Sequence, residues 1–258
     1  MKRLLLFFTF CLFFVLKVNA QEALPFSQDW TNPALITMDD NWSGVAGIIG
    51  YRGDGLTGST GTDPQTILVD GTATPVDIIA NQGSTTGIAT GGNIELDGLV
   101  NPTVAFQGSG TANAPFLLIS VNTTNFTGIT VQYNLRELDA DNSIQQVALH
   151  YRVGSSGNFT NVAAGYVADA SNGSAQVTPI NVVLPVAAEN QSEVQIRILT
   201  TNAAGVDSLI GIDDISVTGT PPPPNVPTLS QWGLIILALM FMTLGTLYIS
   251  QAKVSFEE

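Results

Sequence analysis

The sequence predicts an all-β fold, an antiparallel jelly-roll or lectin-like β-sandwich, followed by one C-terminal transmembrane helix. Apolar and polar residues alternate in short runs, which is typical of strands with one buried face. Glycine, asparagine, threonine and serine separate these runs at intervals of roughly 8 to 15 positions. Because such strands bury their apolar faces by packing two sheets together, the pattern favours a sandwich.

The predicted strands are clearest in the second half of the chain. Segments 128–135 and 146–153 alternate strictly, the second through Leu149 and Tyr151. His150 lies between these two apolar positions, so we expect it on the outer, solvent-facing side of its strand. Four further segments have the same strand character: 116–121, 181–185, 194–199 and 210–217. Segment 42–98 is rich in glycine and is predicted to form long loops over short strands.

Residues 1–20 have the features of a secretory signal peptide. Two cations precede an apolar run, and a small-residue motif places the cleavage between Ala20 and Gln21. The only cysteine, Cys11, lies within this run, so the mature chain is predicted to lack disulfides, thiolate zinc sites and a cysteine nucleophile. We therefore expect an exported protein.

The mature chain is strongly acidic. Between Gln21 and Asn225 it carries nineteen acidic residues and only four cations. The four cations are Arg52, Arg136, Arg152 and Arg197. Such a surface repels phosphate backbones, which excludes nucleic acid as a simple electrostatic partner, and it attracts divalent cations.

The organisation predicted from these features has four parts. The signal peptide, 1–20, precedes a β-sandwich ectodomain, 21–219, and a proline-rich linker, 220–225. The remaining residues, 226–258, comprise a short motif, the transmembrane helix and a short tail. The apolar stretch that starts at Trp232 is about 18 residues long, sufficient to cross a bilayer as a helix.

The motif that opens this tail consists of Val226, Pro227, Thr228, Leu229, Ser230, Gln231, Trp232 and Gly233. It resembles the IPTL-type C-terminal sorting domain, in which such a motif runs directly into a transmembrane helix. Valine stands first where isoleucine is typical. The resemblance implies an exosortase-like processing enzyme as partner, in a Gram-negative bacterium, and at least transient anchoring of the protein in the membrane at the cell envelope or surface. The alternative is a plain C-terminal anchor.

Segments 40–54, 103–115 and 211–217 resemble a non-catalytic jelly-roll module found beside extracellular bacterial nucleases, phosphatases and proteases. The closing Ile-Asp-Asp-Ile pattern is also similar to that of MAM-type and lectin-like sandwiches. The resemblance implies a sandwich without catalytic residues. The linker and sorting tail stand where a catalytic domain usually accompanies the module.

The supply of reactive residues argues against an enzyme. His150 is the only histidine, and one histidine supports neither a Ser-His nucleophile nor the usual zinc site. A carboxylate-dependent hydrolase requires two acids facing each other across a cleft. Glutamates such as Glu95 and Glu193 lie in polar surroundings typical of a solvated surface. We therefore predict no enzyme and keep a hydrolase as the least favoured alternative.

Calcium is the cofactor that the sequence favours, since hard cations bind clustered carboxylate and amide oxygens. Asp139, Asp141 and Asn142 lie in one predicted turn, and Asp213 and Asp214 lie in the last strand. Strand alternation sends the last two to opposite faces, so at least one needs a partner. The alternative is a solvated turn and a carboxylate paired with an arginine.

Trp30, Trp42 and Tyr51 are candidate sugar-stacking residues, with core packing as the alternative. Together these features predict an envelope-anchored binding or adhesion module for a glycan or another extracellular polymer, with calcium supporting its loops. A structural envelope or biofilm-matrix protein without a discrete ligand is the alternative.

Overall fold

The computed structural model describes residues 21–86, 88, 90–139, 143–173, 175–224 and 229–254, with helix side chains described from 230 to 249. Contacts divide the chain into two compact units at the Pro221–Pro222 boundary. The first unit contains the strands and the second contains the helix. The predicted signal peptide, including Ala20, lies outside the described residues, and Gln21 directly precedes the first strand.

Twelve strands are present among the described residues of the first unit. In chain order they are β1 (Glu22–Ala23), β2 (Phe26–Gln28), β3 (Ile48–Tyr51), β4 (Gly92–Leu96), β5 (Thr103–Gln107), β6 (Phe116–Asn122), β7 (Thr127–Glu137), β8 (Val147–Val153), β9 (Thr160–Asn161), β10 (Val177–Val183), β11 (Val194–Thr200) and β12 (Ile210–Thr220). Three short 3-10 helices span Pro64–Thr66, Ala163–Gly165 and Val186–Ala188.

These strands form two sheets, as predicted for a sandwich. The first sheet has the order β1-β6-β11-β8-β9, and β3 also pairs with β6. The second has the order β10-β7-β12-β5-β4, and β2 also pairs with β12. All of these pairings are antiparallel except that of β1 with β6. All six predicted segments in the second half lie wholly or largely within strands.

The core between the sheets explains the two kinds of strand sequence. In β7 buried residues alternate with more exposed ones, because only one face of this strand meets the core. In β6 almost every residue is buried, because Leu117 and Ile119 enter the core while Phe116 and Leu118 belong to a second apolar cluster. The continuous apolar run of β6 therefore indicates that both faces of the sheet are covered at this strand.

A long segment, which we call the strap (residues 56–72), covers part of the outer face of the first sheet. Several backbone groups of the strap bind to the sheet side. Leu68 O accepts from Phe159 N at 2.7 Å, and Thr62 O accepts from the Thr201 hydroxyl at 2.7 Å. The only regular structure in the strap is a single 3-10 turn. This agrees with the predicted long loops over short strands.

Arg197 of β11 anchors the strap. Its side chain is fully buried. Its guanidinium donates to Val69 O at 2.8 Å, to Asp70 O at 3.2 Å and to Ile67 O. The ring of Phe159 lies 4.0 Å from the guanidinium carbon, a cation–π distance. Backbone carbonyls, and not a carboxylate, therefore satisfy this buried charge.

The second unit is a single helix, α1 (Leu229–Val254). Residues Ser230–Ile249 have a mean hydropathy of 2.0, and this stretch is long and apolar enough to cross a membrane. At the helical rise, 20 residues span about 30 Å, the thickness of a bilayer core. The helix begins inside the predicted sorting motif, whose Val226, Pro227 and Thr228 lie outside the described residues.

Replacing Arg197 with leucine is expected to destabilise the sandwich by about 3 kcal/mol or more, because three buried carbonyls lose their donors. Arg197→Lys should recover only part of this loss, since an ammonium cannot reproduce the planar fork. Urea denaturation of residues 21–221, which contain all three buried apolar clusters, measures the effect.

Arg52→Leu is the matched control. The Arg52–Asp54 pair is about one-third exposed on both sides, so its loss should change the unfolding free energy by less than about 1 kcal/mol. Equal destabilisation by the two leucine variants would contradict the anchoring role of Arg197.

Candidate functional site

A row of polar side chains crosses the outer face of the first sheet where the strap ends. Ser120 of β6 pairs in register with Gln195 of β11, which pairs on its other side with Arg152 of β8. Side chains at such paired positions lie on the same face of a sheet and contact each other. Three rigid neighbouring strands therefore hold this row in place.

Arg152 forms one end of the row, and its hydrogen-bonding capacity is fully used. Nε and Nη2 donate to Gln195 Oε1 at 2.8 and 2.6 Å. Nη2 also donates to Ser155 O at 3.0 Å, and Nη1 donates to Gly157 O at 2.7 Å. Nη1 makes an ion pair of 2.9 Å with Asp70 of the strap. These contacts occupy all five N–H groups of the guanidinium.

The orientation of the Gln195 amide follows from that of Arg152. A guanidinium only donates, so the oxygen of Gln195 must face it. The amide nitrogen then donates to Glu193 Oε1 at 3.1 Å and to Ser120 Oγ at 3.4 Å. Among the described residues, no hydrogen bond joins the second oxygen of Glu193 or the hydroxyl of Tyr51 to another protein group. These two groups are available to a ligand.

The row lies in a cleft of about 200 Å³, which we call the polar cleft. It is lined by Gly47, Ile49, Tyr51, Thr72, Leu118, Ser120, Arg152, Ser155, Glu193 and Gln195. Apolar Ile49 and Leu118 lie beside the polar row. The volume is below the roughly 300–1,000 Å³ of typical drug-sized sites, so the cleft suits one small polar unit at a time.

The Asp70 carboxylate of the strap balances the charge of Arg152 on the sheet. Burial raises the pKa of the Asp70 carboxyl, but hydrogen bonds from Thr72 and Arg152 outweigh it and leave the pKa below its usual value. Burial, and then the charge of Asp70, raises the pKa of the Tyr51 hydroxyl. Asp70 is therefore ionised and Tyr51 is a neutral hydroxyl donor at neutral pH.

His150 is not solvent-facing as the strand pattern predicted. It lies on the outer face of β8, but the strap and Phe159 cover that face and bury the ring completely. Nδ1 faces Arg197 Nη2 at 2.8 Å and accepts, because the guanidinium only donates. Burial and the charge of Arg197 lower the pKa of His150 to about 3. The ring is therefore neutral and structural.

The predicted aromatic platform is wrong for the two tryptophans. Trp30 and Trp42 are each only 4% exposed and meet edge to face in the core, with ring centroids 6.3 Å apart. Their indole N–H groups donate to Ile212 O and Asp77 O. Tyr51 stacks on Phe116 with centroids 5.0 Å apart and lines the polar cleft, so its contribution there is an edge and a hydroxyl.

The candidate calcium ligands are not brought together where the structure describes them. Asp213 is buried and pairs with Arg136 at 2.7 Å, which is the alternative that the sequence left open. Asp214 lies at a bulge in β12 and accepts from Asn134 at 2.8 Å. Asp139 accepts from Leu209 N at 2.9 Å. The other two ligands of the predicted turn, Asp141 and Asn142, lie outside the described residues. The described part of the chain contains no group of three or more acidic, histidine or cysteine side chains that could hold a metal ion.

A second cleft of about 310 Å³, the acidic cleft, lies elsewhere on the sandwich. It is lined by Asp39, Asp40, Arg52, Asp77, Ile78, Ile79, Thr90, Gly91 and Thr111. Asp77 Oδ2 accepts from Asn93 N at 2.6 Å, and Gly92 gives the carboxylate room, since a Cβ there would lie 2.3 Å from Oδ2. Burial, reinforced by Asp40 and opposed by the Asn93 hydrogen bond, raises the pKa of Asp77 to about 6.

Sequence reasoning missed the polar row. Arg152 and Arg197 were visible as rare cations, and each lies at an outward position of a strand. A charged residue at such a position in an otherwise apolar strand is a usable signal. The contact that completes the site joins Arg152 to Asp70, which no local pattern reveals.

The C-terminal motif is found by comparison with known families. The IPTL-CTERM motif matches residues 226–246, which confirms the resemblance seen in the tail. No curated protein matches the chain. The resemblance to the module found beside nucleases and phosphatases stays a prediction.

Solved structures similar to this chain are β-sandwiches at low identity. TmCBM61 in complex with β-1,4-galactotriose is 15% identical over 47% of this chain and 72% of that chain, with a TM-score of 0.32. CBM28, a carbohydrate-binding module specific for non-crystalline cellulose, is 13% identical over 49% and 80%, with a TM-score of 0.34. The K3 cleaved adhesin domain of Lys-gingipain from Porphyromonas gingivalis is 15% identical over 45% and 71%, with a TM-score of 0.30. At these values the likeness carries no information on a ligand.

Asp77→Asn is expected to stabilise the sandwich at pH 7.5 by about 1–3 kcal/mol and to have little effect near pH 4. The folded-state pKa of Asp77, about 6, lies above the ordinary 3.8, so the wild type loses stability as pH rises from about 4 to 6. The asparagine does not titrate and still accepts from Asn93 N. Urea denaturation at both pH values measures the difference, and an equal difference at both would contradict the burial effect.

Proposed function

We propose that the protein is an exported, envelope-anchored binding or adhesion module that recognises a glycan or another extracellular polymer through the polar cleft. The observation that carries the proposal is the row Ser120–Gln195–Arg152, which three paired strands hold beside the open polar groups of Glu193 and Tyr51. Glu193 offers an acceptor and Tyr51 a donor, beside apolar Ile49 and Leu118. Sugar rings present the same combination of hydroxyl groups and C–H surface.

The tail supports the location. The IPTL-CTERM motif at 226–246 and an apolar helix long enough to span a membrane are typical of a sorted, anchored surface protein. The proposal extends this to the envelope of a Gram-negative bacterium and to an exosortase-like enzyme that processes or retains the tail. It also holds that the module is not an enzyme. A matrix protein without a discrete ligand is the interpretation that follows if no glycan binds.

Loss of the Glu193 acceptor is expected to weaken glycan binding by about tenfold or more, because a hydrogen bond to a charged group typically contributes about 1.5–3 kcal/mol. The experiment uses the full chain in detergent on an array of bacterial and plant polysaccharides, comparing wild type, Glu193→Ala and Tyr51→Phe. Asn181→Ala on the exposed side of β10 is the control and should bind as wild type does.

Two results would reject the proposed function. One is an array without any bound glycan, in calcium and in chelator alike. The other is glycan binding that both cleft variants leave unchanged, which would place the ligand elsewhere on the molecule.

We also propose, from the sequence, that the turn at 139–142 binds Ca²⁺. Thermal melting of residues 21–221 is expected to shift upward in millimolar Ca²⁺ relative to chelator, by mass action on the folded state. Asp141→Asn should remove this shift. Asp214→Asn should leave it, since Asn134 already partners Asp214. A melting temperature that does not respond to Ca²⁺ would remove calcium from the proposal.

A further inference from the structure

We infer that the polar cleft selects uncharged, hydroxyl-rich pyranosides and rejects uronates and other anionic sugars. This inference rests on the proposed function, because it names the class of glycan that the same cleft takes. It follows from the ion pair between Asp70 of the strap and Arg152, the cation among the described residues that line the cleft.

Recognition of an anionic sugar requires an N–H donor, preferably a cationic one, that is not already engaged. Among the residues that the structure describes, Arg152 is the only cationic side chain that lines the polar cleft. Its five N–H groups are directed to Gln195, Ser155, Gly157 and Asp70. The ring of Phe159 lies 4.3 Å from the guanidinium carbon and covers one face. The guanidinium therefore has no donor left for a ligand carboxylate.

The remaining charges oppose an anion. Asp70 and Glu193 are two carboxylates beside one guanidinium, so the immediate surroundings carry a net negative charge. Asp70 already balances Arg152, which leaves the charge of Glu193 uncompensated by any cation lining the cleft. A ligand carboxylate placed there meets like charge without a counterion, which costs binding energy.

A neutral sugar fits the groups that are left. The second oxygen of Glu193 can accept a hydroxyl hydrogen, and Tyr51 can donate to a hydroxyl or ring oxygen. Ser120 both donates and accepts. A hydroxyl group satisfies either kind of partner, whereas a carboxylate can only accept. The cleft therefore discriminates by charge and by hydrogen-bond direction.

The test compares three ligands that differ only at C6: a methyl hexoside, the corresponding methyl hexuronide and the methyl ester of that hexuronide. The gluco and galacto series are both used. Binding to the full chain in detergent is followed by ligand-observed NMR titration. The hexoside and the ester should bind at least about tenfold more tightly than the hexuronide, because like-charge contact costs more than about 1.4 kcal/mol. The ester separates charge from size.

The variant Asp70→Asn tests whether the ion pair with Arg152 sets the preference for uncharged ligands. It removes the negative charge that balances Arg152, so the guanidinium then offsets Glu193 and the net negative charge around the cleft is lost. The preference for the uncharged ligands should therefore fall by about fivefold or more. Asp54→Asn is the matched control. It makes the same substitution in the separate Arg52–Asp54 pair and should leave the preference unchanged.

The outcomes separate the two proposals. Hexuronide binding that equals or exceeds hexoside binding in the wild type overturns the inference and leaves the glycan-binding function standing. An unchanged preference in Asp70→Asn also overturns it, since the ion pair then plays no part in selection. Failure of every pyranoside to bind overturns the inference, and the polysaccharide array then decides whether the proposed function stands.

Discussion

The buried guanidinium of Arg197 is the constraint on which the outer face of the first sheet depends. A cation removed from water requires compensation, and here the compensation comes from the carbonyls of Ile67, Val69 and Asp70 and from His150 Nδ1. Those carbonyls belong to a strap with almost no regular structure of its own. Satisfying one charge therefore fixes the path of the strap and places the Asp70 side chain beside Arg152.

The two arginines of this face have different roles: Arg197 holds the strap in place, and Arg152 contributes the positive charge beside the cleft. Arg197 has no carboxylate partner in the described part of the chain. Burial and the charge of Arg152 lower its pKa to about 9, so it remains a cation at neutral pH. Arg152 has a carboxylate and lies at the edge of the open cleft. Phe159 packs against both guanidinium groups, at 4.0 and 4.3 Å, and links the two sites. The shape of the cleft and its charge therefore arise from one connected cluster.

The strands could be predicted from local sequence patterns. The predictions that were wrong concern residues whose surroundings are set by contacts distant in sequence. Alternation in β7 and the apolar run of β6 predicted two packed sheets, because each pattern is visible within a few consecutive residues. His150 was predicted as exposed because nothing near it in sequence shows that the strap covers it. Arg197 and Ile67 are 130 positions apart, and Trp30 reaches Ile212 across 182. Such long-range contacts decide which aromatic rings are buried and which carboxylate pairs with which arginine. A short stretch of sequence contains no information about them.

The positions of the described carboxyl groups support the proposal that the polar cleft binds a glycan without cleaving it. Acid catalysis of glycoside cleavage needs a carboxyl group that stays protonated near neutral pH, facing a second, ionised one. Beside the polar cleft the pKa of Asp70 is lowered, and the group is held by Arg152 and Thr72. The described carboxyl with a pKa raised to about 6, Asp77, lines the acidic cleft, where Asn93 holds one of its oxygens. The described carboxyl with a pKa raised to about 6 and the cleft with the open hydrogen-bonding groups are thus separate, which supports the proposal of binding without hydrolysis.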